Sequence, residues 1–173
     1  LALSGDSVPN GRGNSHIASG IEVVDDSYNA NPSSMQAAIT AFLSQAGTRL
    51  QSSDVEPQRS FVVLGDMRAL GDQGAAAHEK LLDGLAHEPA LHGIVLVGEQ
   101  MNQAADRLQS TALGQSLSQR ICGRFQEANA ELEALLVQTL RPGDRVLIKG
   151  SNRIFWASAF VSKLLLKVAK PTR

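Results

Sequence analysis

Short runs of apolar and β-branched residues alternate with segments of helical periodicity along most of this 173-residue chain. Runs of this kind predict strands, and they occupy residues 21–24, 61–64, 94–97, 120–125 and 145–148. Their cores are nearly continuous in apolar residues, which is typical of strands buried on both faces of a sheet. This alternation constrains the fold more than any other feature of the sequence.

Each predicted strand is followed by a segment whose apolar residues share one helical face. These segments predict helices over about 35–46, 78–85, 101–108, 128–140 and 154–168, with Gly47 ending the first. Strands that alternate with helices imply right-handed crossovers between parallel strands. We therefore predict an α/β fold, a Rossmann-like doubly wound, mostly parallel sheet with helices on both faces.

Composition excludes several classes of protein. The chain is 43% hydrophobic and 19% charged, which indicates a folded domain of ordinary size. A net charge of −1 argues against nucleic acid or anionic lipid as a partner. Cys122 is the single cysteine, so an intramolecular disulfide and a multi-cysteine metal site are excluded. No apolar run is long enough to span a bilayer and no signal peptide is visible, so we expect a cytoplasmic protein.

The chain divides into an entry segment and one domain. Residues 1–20 carry four glycines and Pro9, which predicts a hinge or entry segment, and residues 21–173 form the domain. Residues 47–59 are polar and include Pro57, so we expect an exposed loop. The start at Leu1 suggests a fragment of a longer chain or a processed one.

Polar residues follow four of the five predicted strands. Ligands of open parallel sheets bind beyond the carboxyl ends of the strands, so these residues should meet at one edge. Carboxylates, amides and a lysine in one place suit a ligand with hydroxyls, a carboxylate or phosphate, and an amine. In chain order the segments read Asp25-Asp26-Ser27-Tyr28-Asn29-Ala30-Asn31-Pro32, Gly65-Asp66-Met67, Gly98-Glu99 and Lys149-Gly150-Ser151-Asn152-Arg153.

Each of these features also has a purely structural interpretation. Aspartate and asparagine are ordinary turn residues, and Pro32 suits the first turn of a helix capped by Asn31 or Ser33. His78, on an apolar helix face, is more typical of a satisfied core residue than of a catalyst. Lys149 could be an exposed lysine at a strand end. The row of Lys163, Lys167 and Lys170 indicates a solvated helix face, with a membrane-surface helix as the alternative.

Several catalytic motifs are absent from the sequence. It contains no G-x-x-x-x-G-K-[ST] loop for a triphosphate, no G-x-G-x-x-G after the first predicted strand and no G-x-S-x-G elbow. The histidines, at positions 16, 78, 87 and 92, form no recognisable metal motif. We therefore predict no metal site in this chain.

The segment from Asp25 to Pro32 resembles the signature of the carboxy-terminal domain of the Mur ligases, in particular those that add D-alanyl-D-alanine to UDP-N-acetylmuramoyl-tripeptide. Further pieces of the pattern follow in the same order as in that family, and together they cover the chain from Pro9 almost to its end. They are Pro9 with Gly11 and Arg12, Ser34-Met35 with Ala37-Ala38, Val63-Leu64-Gly65-Asp66-Met67 with Leu70-Gly71 and His78, and Gly143-Asp144 with Val146 to Ser151.

The chain departs from the family pattern at two places. Ala69 stands where the family usually has glutamate before Leu-Gly. Residues 152–160 read Asn-Arg-Ile-Phe-Trp-Ala-Ser-Ala-Phe, where the family more often has arginine directly after Lys-Gly-Ser and an acidic residue further on. These departures leave the role of the segment, and substrate contacts there, open.

The resemblance implies a ligase that forms an amide at the expense of ATP, through an acyl phosphate. ATP and Mg²⁺ would be held mainly by a central domain outside this chain, so the chain alone would not catalyse. The partners would be the central and amino-terminal domains, UDP-N-acetylmuramoyl-tripeptide and D-alanyl-D-alanine. The implied nucleotide contacts are Arg12, Asp26, Tyr28, Asn29 and Asn31.

The implied substrate contacts are Asp66 for the ammonium of the dipeptide, Lys149 for its carboxylate, and Ser151. Two alternatives to the ligase remain. A receiver-like signalling domain also has paired aspartates after its first strand and a lysine after its fifth, but its phosphoacceptor follows the third strand, whereas Asp66 follows the second. A non-catalytic interaction module of the same fold is the other, because fold does not determine function.

Overall fold

The computed structural model describes residues 11–45 and 58–169, which form six strands and six α-helices. In these ranges no helix is both long and apolar enough to cross a membrane. The strands are β1 (Asn14–Ala18), β2 (Ile21–Asp26), β3 (Ser60–Gly65), β4 (Gly93–Val97), β5 (Ile121–Phe125) and β6 (Arg145–Lys149). The helices are α1 (Pro32–Ser44), α2 (Gly74–Ala86), α3 (Glu99–Leu108), α4 (Ala112–Ser118), α5 (Ala130–Thr139) and α6 (Phe160–Val168).

All six strands belong to one sheet, in the order β1-β2-β6-β3-β4-β5. Every neighbouring pair is parallel except β1 with β2, which is antiparallel. The five predicted strands are present as β2 to β6, and the predicted mostly parallel α/β fold is confirmed. Because β2, β6, β3 and β4 are neighbours and run in the same direction, their carboxyl ends lie side by side.

Each face of the sheet carries its own apolar core. Successive residues of a strand point to opposite faces, so Val62 and Leu64 of β3 join one core while Phe61 and Val63 join the other. Side chains of α1, α2, α3 and α4 complete the first core, and those of α5 and α6 complete the second. Full burial of each such aliphatic side chain contributes about 1.5–3 kcal/mol.

β1 lies within residues 1–20, for which the sequence predicts an entry segment and no strand. Its residues Asn-Ser-His-Ile-Ala alternate between half-buried and exposed, because β1 is the edge strand. A two-residue turn joins it to β2, with positive φ at Ser19 (48°) and Gly20 (77°), as a tight hairpin requires. The Ser19 hydroxyl donates to the carbonyl of Val168 at 2.9 Å, which ties the turn to the end of α6.

Two helices differ from the prediction. The short α4 was not predicted, because its residues Ala-Leu-Gly-Gln-Ser-Leu-Ser give little periodic signal. α6 begins at Phe160 instead of near Ile154, and residues 152–159 form turns. Ala159 has φ 52°, a left-handed conformation that cannot continue a helix, so α6 starts after it. Gly47 and nearly all of the predicted 47–59 loop lie outside the described residues.

Arg145 links β6 to β2 and to the end of α1. Its guanidinium, 3% exposed, forms an ion pair with Glu22 of β2 at 2.6 Å. It also donates to the carbonyl of Phe42 at 2.9 Å and to the side chain of Gln45 at 3.3 Å, and it lies over the Phe42 ring at 4.5 Å. A single buried cation therefore fixes how the first helix meets the sheet.

Replacing Arg145 should destabilise the fold strongly. Arg145→Ala removes a buried cation and leaves the half-buried Glu22 carboxylate without this partner, so we expect the free energy of unfolding to fall by about 3 kcal/mol. Denaturant unfolding followed by circular dichroism measures it. The exposed Arg141 provides the matched control, for which Arg141→Ala should cost less than about 0.5 kcal/mol. Equal losses in the two variants would contradict this role.

Candidate functional site

The polar residues singled out in the sequence lie along one edge of the sheet. We call this edge the carboxyl rim, defined as the carboxyl ends of β2, β6, β3 and β4 with the residues that directly follow them. Asp26 pairs with Lys149 in the β2–β6 register, and Lys149 pairs with Leu64 in the β6–β3 register. Gly65 in turn pairs with Val97 at the end of β4. The four polar segments therefore converge, as predicted.

A buried lysine organises the β2 side of the rim. The Lys149 side chain is only 2% exposed, and its ammonium contacts the Asp26 carboxylate at 2.7 Å and the backbone carbonyl of Asn29 at 2.9 Å. Asp26 is 22% exposed, so its carboxylate reaches the surface while the ammonium does not. The interpretation of Lys149 as an exposed strand-end lysine is wrong, because the ion pair and the carbonyl draw its side chain inward.

The turn after β2 is held by its own side chains. The Asp25 carboxylate accepts from the backbone N–H of Ser27 at 3.2 Å and from the Ser27 hydroxyl at 2.5 Å. Asn31 caps α1, accepting from the N–H of Ser34 at 2.9 Å, with Pro32 in the first turn as expected. This local bonding fixes the backbone and leaves the side chains of Asn29 and Asn31 exposed on the rim.

Arg12, Tyr28 and Trp156 form a stack above this turn. The guanidinium of Arg12 lies 4.4 Å from the centre of the Tyr28 ring, and Trp156 meets the same ring edge-on at 5.2 Å. Gly11 has φ +80° and its backbone lies so close to Trp156 that an added Cβ would be 2.8 Å from the indole. Gly11 and Arg12 therefore pack against the turn after β2 and against Trp156.

Trp156 belongs to the atypical segment 152–160 and was not predicted as a site residue. It is the only tryptophan of the chain and is 46% exposed. Its position in a segment that departs from the family pattern was the signal available in the sequence. An exposed indole beside Tyr28 gives the rim an aromatic surface.

Both carboxylate oxygens of Asp66 accept hydrogen bonds from the backbone. Its carboxylate accepts from the N–H groups of Met101 at 2.8 Å and Gln100 at 3.2 Å, so it caps the start of α3. Gly98 approaches so closely that an added Cβ would lie 2.4 Å from the carboxylate. Asp66 is therefore on the rim as predicted, but both of its oxygens have partners within the domain.

His78 is a satisfied core residue, as its position on an apolar helix face suggested. Its Nε2 accepts from the N–H of Met67 at 2.9 Å, and its Nδ1 lies 2.6 Å from the carbonyl of Gly74. In this arrangement Nδ1 is the donor and the carbonyl of Gly74 accepts. The histidine fixes the loop that follows Asp66 and does not reach the surface.

Ser151 lies directly after β6, between the turn that follows β2 and the loop that follows β3. Its backbone N–H donates to the carbonyl of Asp66 at 3.0 Å, which joins the loop after β6 to the loop after β3. Its side-chain hydroxyl is buried and has no hydrogen-bond partner among the residues that the structure describes. A buried hydroxyl without a partner is uncommon in folded proteins and is free to bond a group from outside this domain.

A cavity of about 570 Å³ opens on the rim beside Asp66. Arg68, Glu99 and Gln126 line it, and none of these side chains was predicted as a site residue. The sequence places Glu99 directly after a predicted strand, and nothing in it distinguishes Arg68 or Gln126 from ordinary surface residues. These three residues are far apart in the sequence, and only folding brings them to one cavity.

Within residues 11–45 and 58–169 no group of three or more histidine, cysteine, aspartate and glutamate side chains is arranged to hold a metal ion. Two of the rim carboxylates, Asp26 and Asp66, are bound to Lys149 and to backbone N–H groups, respectively. The donor set of the described residues therefore does not fit a Mg²⁺ site. The capped Asp66 also lacks the free carboxylate that a receiver-like phosphoacceptor needs.

Comparison with known proteins identifies similar chains. The family model described as "Mur ligase, glutamate ligase domain" matches residues 11–152. A UDP-N-acetylmuramoyl-tripeptide–D-alanyl-D-alanine ligase of Mycobacterium tuberculosis is 34% identical over 142 residues, which cover 77% of this chain and 26% of that protein. The chain therefore spans about a quarter of the length of this curated relative.

Solved structures agree with these matches. MurF from Acinetobacter baumannii superposes with a TM-score of 0.68 at 28% identity, covering 92% of this chain and 31% of that one. MurF ligase from Thermotoga maritima, solved in complex with ADP, gives a TM-score of 0.61 at 26% identity, covering 96% and 31%. In both, the matching part is about a third of a longer chain.

Removing Asp26 from the ion pair at the rim should lower the free energy of unfolding more than removing Lys149. Asp26→Ala leaves a fully buried ammonium without its counter-charge, so we expect a loss of about 3 kcal/mol in the free energy of unfolding. Lys149→Met leaves a carboxylate that water can reach, and the loss should be about half as large. Denaturant unfolding of both single variants and of the double variant measures this.

The double variant Asp26→Ala/Lys149→Met is the control for the interaction itself. It removes both charges, so it should be more stable than Asp26→Ala alone. A Lys149→Met variant that is destabilised as much as Asp26→Ala, or losses that simply add in the double variant, would show that the two side chains do not interact as described.

Proposed function

This chain belongs to the Mur ligase family, whose glutamate ligase domain it carries, and we propose that it is the carboxy-terminal domain of the ligase that adds D-alanyl-D-alanine to UDP-N-acetylmuramoyl-tripeptide in peptidoglycan synthesis. The relatives that carry this activity in their names support the proposal. Because the chain spans about a quarter of their length, the remaining parts of the enzyme come from other domains, with which this one would act in the cytoplasm.

The proposed reaction has two steps. A carboxylate oxygen of the tripeptide attacks the γ-phosphorus of ATP, which gives an acyl phosphate and releases ADP. The amine of D-alanyl-D-alanine, after losing a proton, then attacks the acyl carbon, and the C–O bond to phosphate breaks. This chain has no G-x-x-x-x-G-K-[ST] loop, so we assign the triphosphate and Mg²⁺ to a central domain.

The role of this domain is to close over the site from the carboxyl rim. Closure brings the amine next to the acyl phosphate and excludes water, which would otherwise hydrolyse it. The observation that carries the proposal is the convergence of the family signature with the ends of β6 and β3 on one rim. The ADP complex of the Thermotoga maritima relative supports a nucleotide as the ligand that this rim faces.

We assign the nucleotide to the β2 side of the rim. The second oxygen of the partly exposed Asp26 carboxylate would accept from ribose hydroxyls. The side-chain oxygens of Asn29 and Asn31 accept from backbone N–H groups of the turn and of α1, so their exposed NH2 groups would donate to ribose or base acceptors. Tyr28 would pack beside the base, with Arg12 on its other side able to reach phosphate or ribose oxygens. Lys149 supports this surface from below, because its ammonium holds Asp26 and the carbonyl of Asn29.

The internal contacts of Asp66 and Lys149 favour a positioning role for both over direct binding of the dipeptide. The Asp66 carboxylate fixes the start of α3, and Lys149 is buried beneath the turn. Ser151 remains a substrate contact in this proposal, because its buried hydroxyl has no partner among the described residues. It would receive one from the substrate or from the central domain when the enzyme closes.

The test is Asn29→Ala in the full-length enzyme. Losing the amide should remove one or two hydrogen bonds to the nucleotide, worth about 1–1.5 kcal/mol, and raise the KM for ATP about five- to tenfold. The KM for the tripeptide precursor should change little. Steady-state kinetics with varied ATP measures the effect, and Asp26→Ala should raise the same constant.

Gln138→Ala, at an exposed position of α5 away from the rim, is the matched control and should leave the KM for ATP unchanged. Unaltered ATP kinetics in Asn29→Ala and Asp26→Ala would contradict the nucleotide assignment. A full-length wild-type protein that binds partner proteins but forms no amide would instead favour the interaction module.

A further inference from the structure

The two aspartates at the end of β2 point to opposite faces of the sheet. Asp26 pairs with Lys149 and has a place in the proposed nucleotide site, but Asp25 has none. Asp25 shares the face of Ile21 and Val23, which α5 and α6 cover. It is only 7% exposed, so its carboxylate lies at a depth where an unbonded oxygen is costly.

One oxygen of the Asp25 carboxylate is not used within the domain. Both hydrogen bonds from Ser27, one from its N–H and one from its hydroxyl, go to Oδ1. Oδ2 accepts no hydrogen bond and forms no ion pair with any residue in the ranges 11–45 and 58–169. Most buried polar atoms have a partner, so this oxygen is available to a group from outside those ranges.

Asp25 lines a pocket of about 260 Å³ between β1 and α6. Phe155, Phe160 and Leu165 give the pocket apolar walls, and the half-exposed indole of Trp156 extends them towards solvent. No lysine or arginine of the part of the chain that the structure describes lines this pocket. A side-chain cation that reaches Asp25 through it therefore comes from elsewhere.

The pocket matches a long cationic side chain. Lysine and arginine combine an apolar stem with a charged end, so the stem can lie along the walls while the end reaches the carboxylate. A cation that passes the indole of Trp156 also gains cation–π attraction. The volume of about 260 Å³ is below the roughly 300–1,000 Å³ usual for small-molecule sites, which favours a single side chain over a free ligand.

The rest of the proposed enzyme is joined to this domain directly beside the pocket. The carbonyl of Gly11 accepts from the N–H of Tyr28 at 2.9 Å, and the Gly11 backbone lies against Trp156. The matching region is 26% of the Mycobacterium tuberculosis relative, so most of such an enzyme lies outside this domain. A central domain that precedes Gly11 has the pocket within reach of its own surface side chains.

We infer that this pocket receives one lysine or arginine side chain of the central domain, whose cation pairs with Oδ2 of Asp25. The inference rests on the proposed function for the presence of a central domain. It gives Asp25 and the atypical segment 152–160, which supplies several of the walls, a shared role as an interdomain docking site. The contact also covers Trp156, a residue type that is enriched at the centres of interfaces.

A photoreactive diazirine amino acid in place of Ser162 in the full-length ligase tests the inference. Ser162 lines the pocket and is exposed, so the probe should not disturb the core. On irradiation, with and without a non-hydrolysable ATP analogue, the probe should cross-link to a central-domain peptide that contains lysine or arginine, identified by mass spectrometry. The same probe in place of Ser118, exposed on α4 and not part of the pocket, is the control and should not capture that peptide.

Asp25→Asn tests whether the charge holds the contact. Asparagine keeps an oxygen for Ser27 but replaces Oδ2 by NH2, so the cross-link yield should fall about tenfold, as expected when an interdomain ion pair is broken. Ser27→Ala leaves the carboxylate in place and is the matched control, with a yield that should stay within about twofold. Replacing the lysine or arginine of the captured peptide by glutamine should lower the yield as Asp25→Asn does, and it carries the test if Asp25→Asn does not fold.

Cross-links only within this domain or to a second copy of the ligase, or no cross-link with or without the analogue, would overturn the inference. A yield that Asp25→Asn leaves unchanged would also overturn it, because the contact would not depend on the carboxylate. Amide formation by the wild-type enzyme is measured in parallel. An enzyme that forms the amide without this cross-link overturns the inference and leaves the proposed function intact. An enzyme that forms no amide contradicts the proposed function, and the cross-link alone then decides the inference.

Discussion

The carboxyl rim depends on one buried ammonium. Lys149, at the end of β6, pairs with Asp26 at the end of the neighbouring β2 and also holds the carbonyl of Asn29. An unpaired charge at that depth would cost several kcal/mol, so the turn after β2 must keep a carboxylate and a carbonyl directed inward. That requirement leaves the side chains of Tyr28, Asn29 and Asn31 on the outer surface. The ion pair therefore fixes the conformation of the turn, and this conformation places the polar side chains of the motif on the surface where a ligand can bind them.

Most of the fold could be predicted because it follows from hydrophobic periodicity. The buried strands β3 and β4, and the middle of β6, are apolar on both faces, which leaves little ambiguity in the sequence. β1 could not be recognised from that signal, since an edge strand buries only alternate residues, although Ser19-Gly20 offered a hairpin turn. The start of α6 depends on the left-handed backbone at Ala159, which no propensity of alanine indicates.

The candidate site was predictable in its location but not in its bonding. Parallel strands bring their following residues to one edge, so the convergence of Asp26, Asp66 and Lys149 follows from topology alone. Burial decides which of these charged groups pair within the domain instead of facing a ligand. The burial of Lys149 could not be predicted from its neighbours in sequence. Arg68 and Glu99 look like ordinary surface residues until folding places them around one cavity. Asp66 and Lys149, which belong to sequence motifs, are thus bound within the domain, whereas Arg68 and Glu99 line its open cavity without belonging to one.

The central claim is that the carboxyl rim faces the nucleotide held by the rest of the enzyme. Hydrogen exchange of the full-length ligase, with and without a non-hydrolysable ATP analogue, tests it most directly. The exchange rates of peptides from the two edges of the sheet are measured separately, so protection of one edge can be distinguished from protection of the other. We expect slower exchange in residues 26–31 on addition of the analogue. Residues 139–144 at the opposite edge should exchange at an unchanged rate. Protection confined to the opposite edge, or no change anywhere in this chain, would contradict the account.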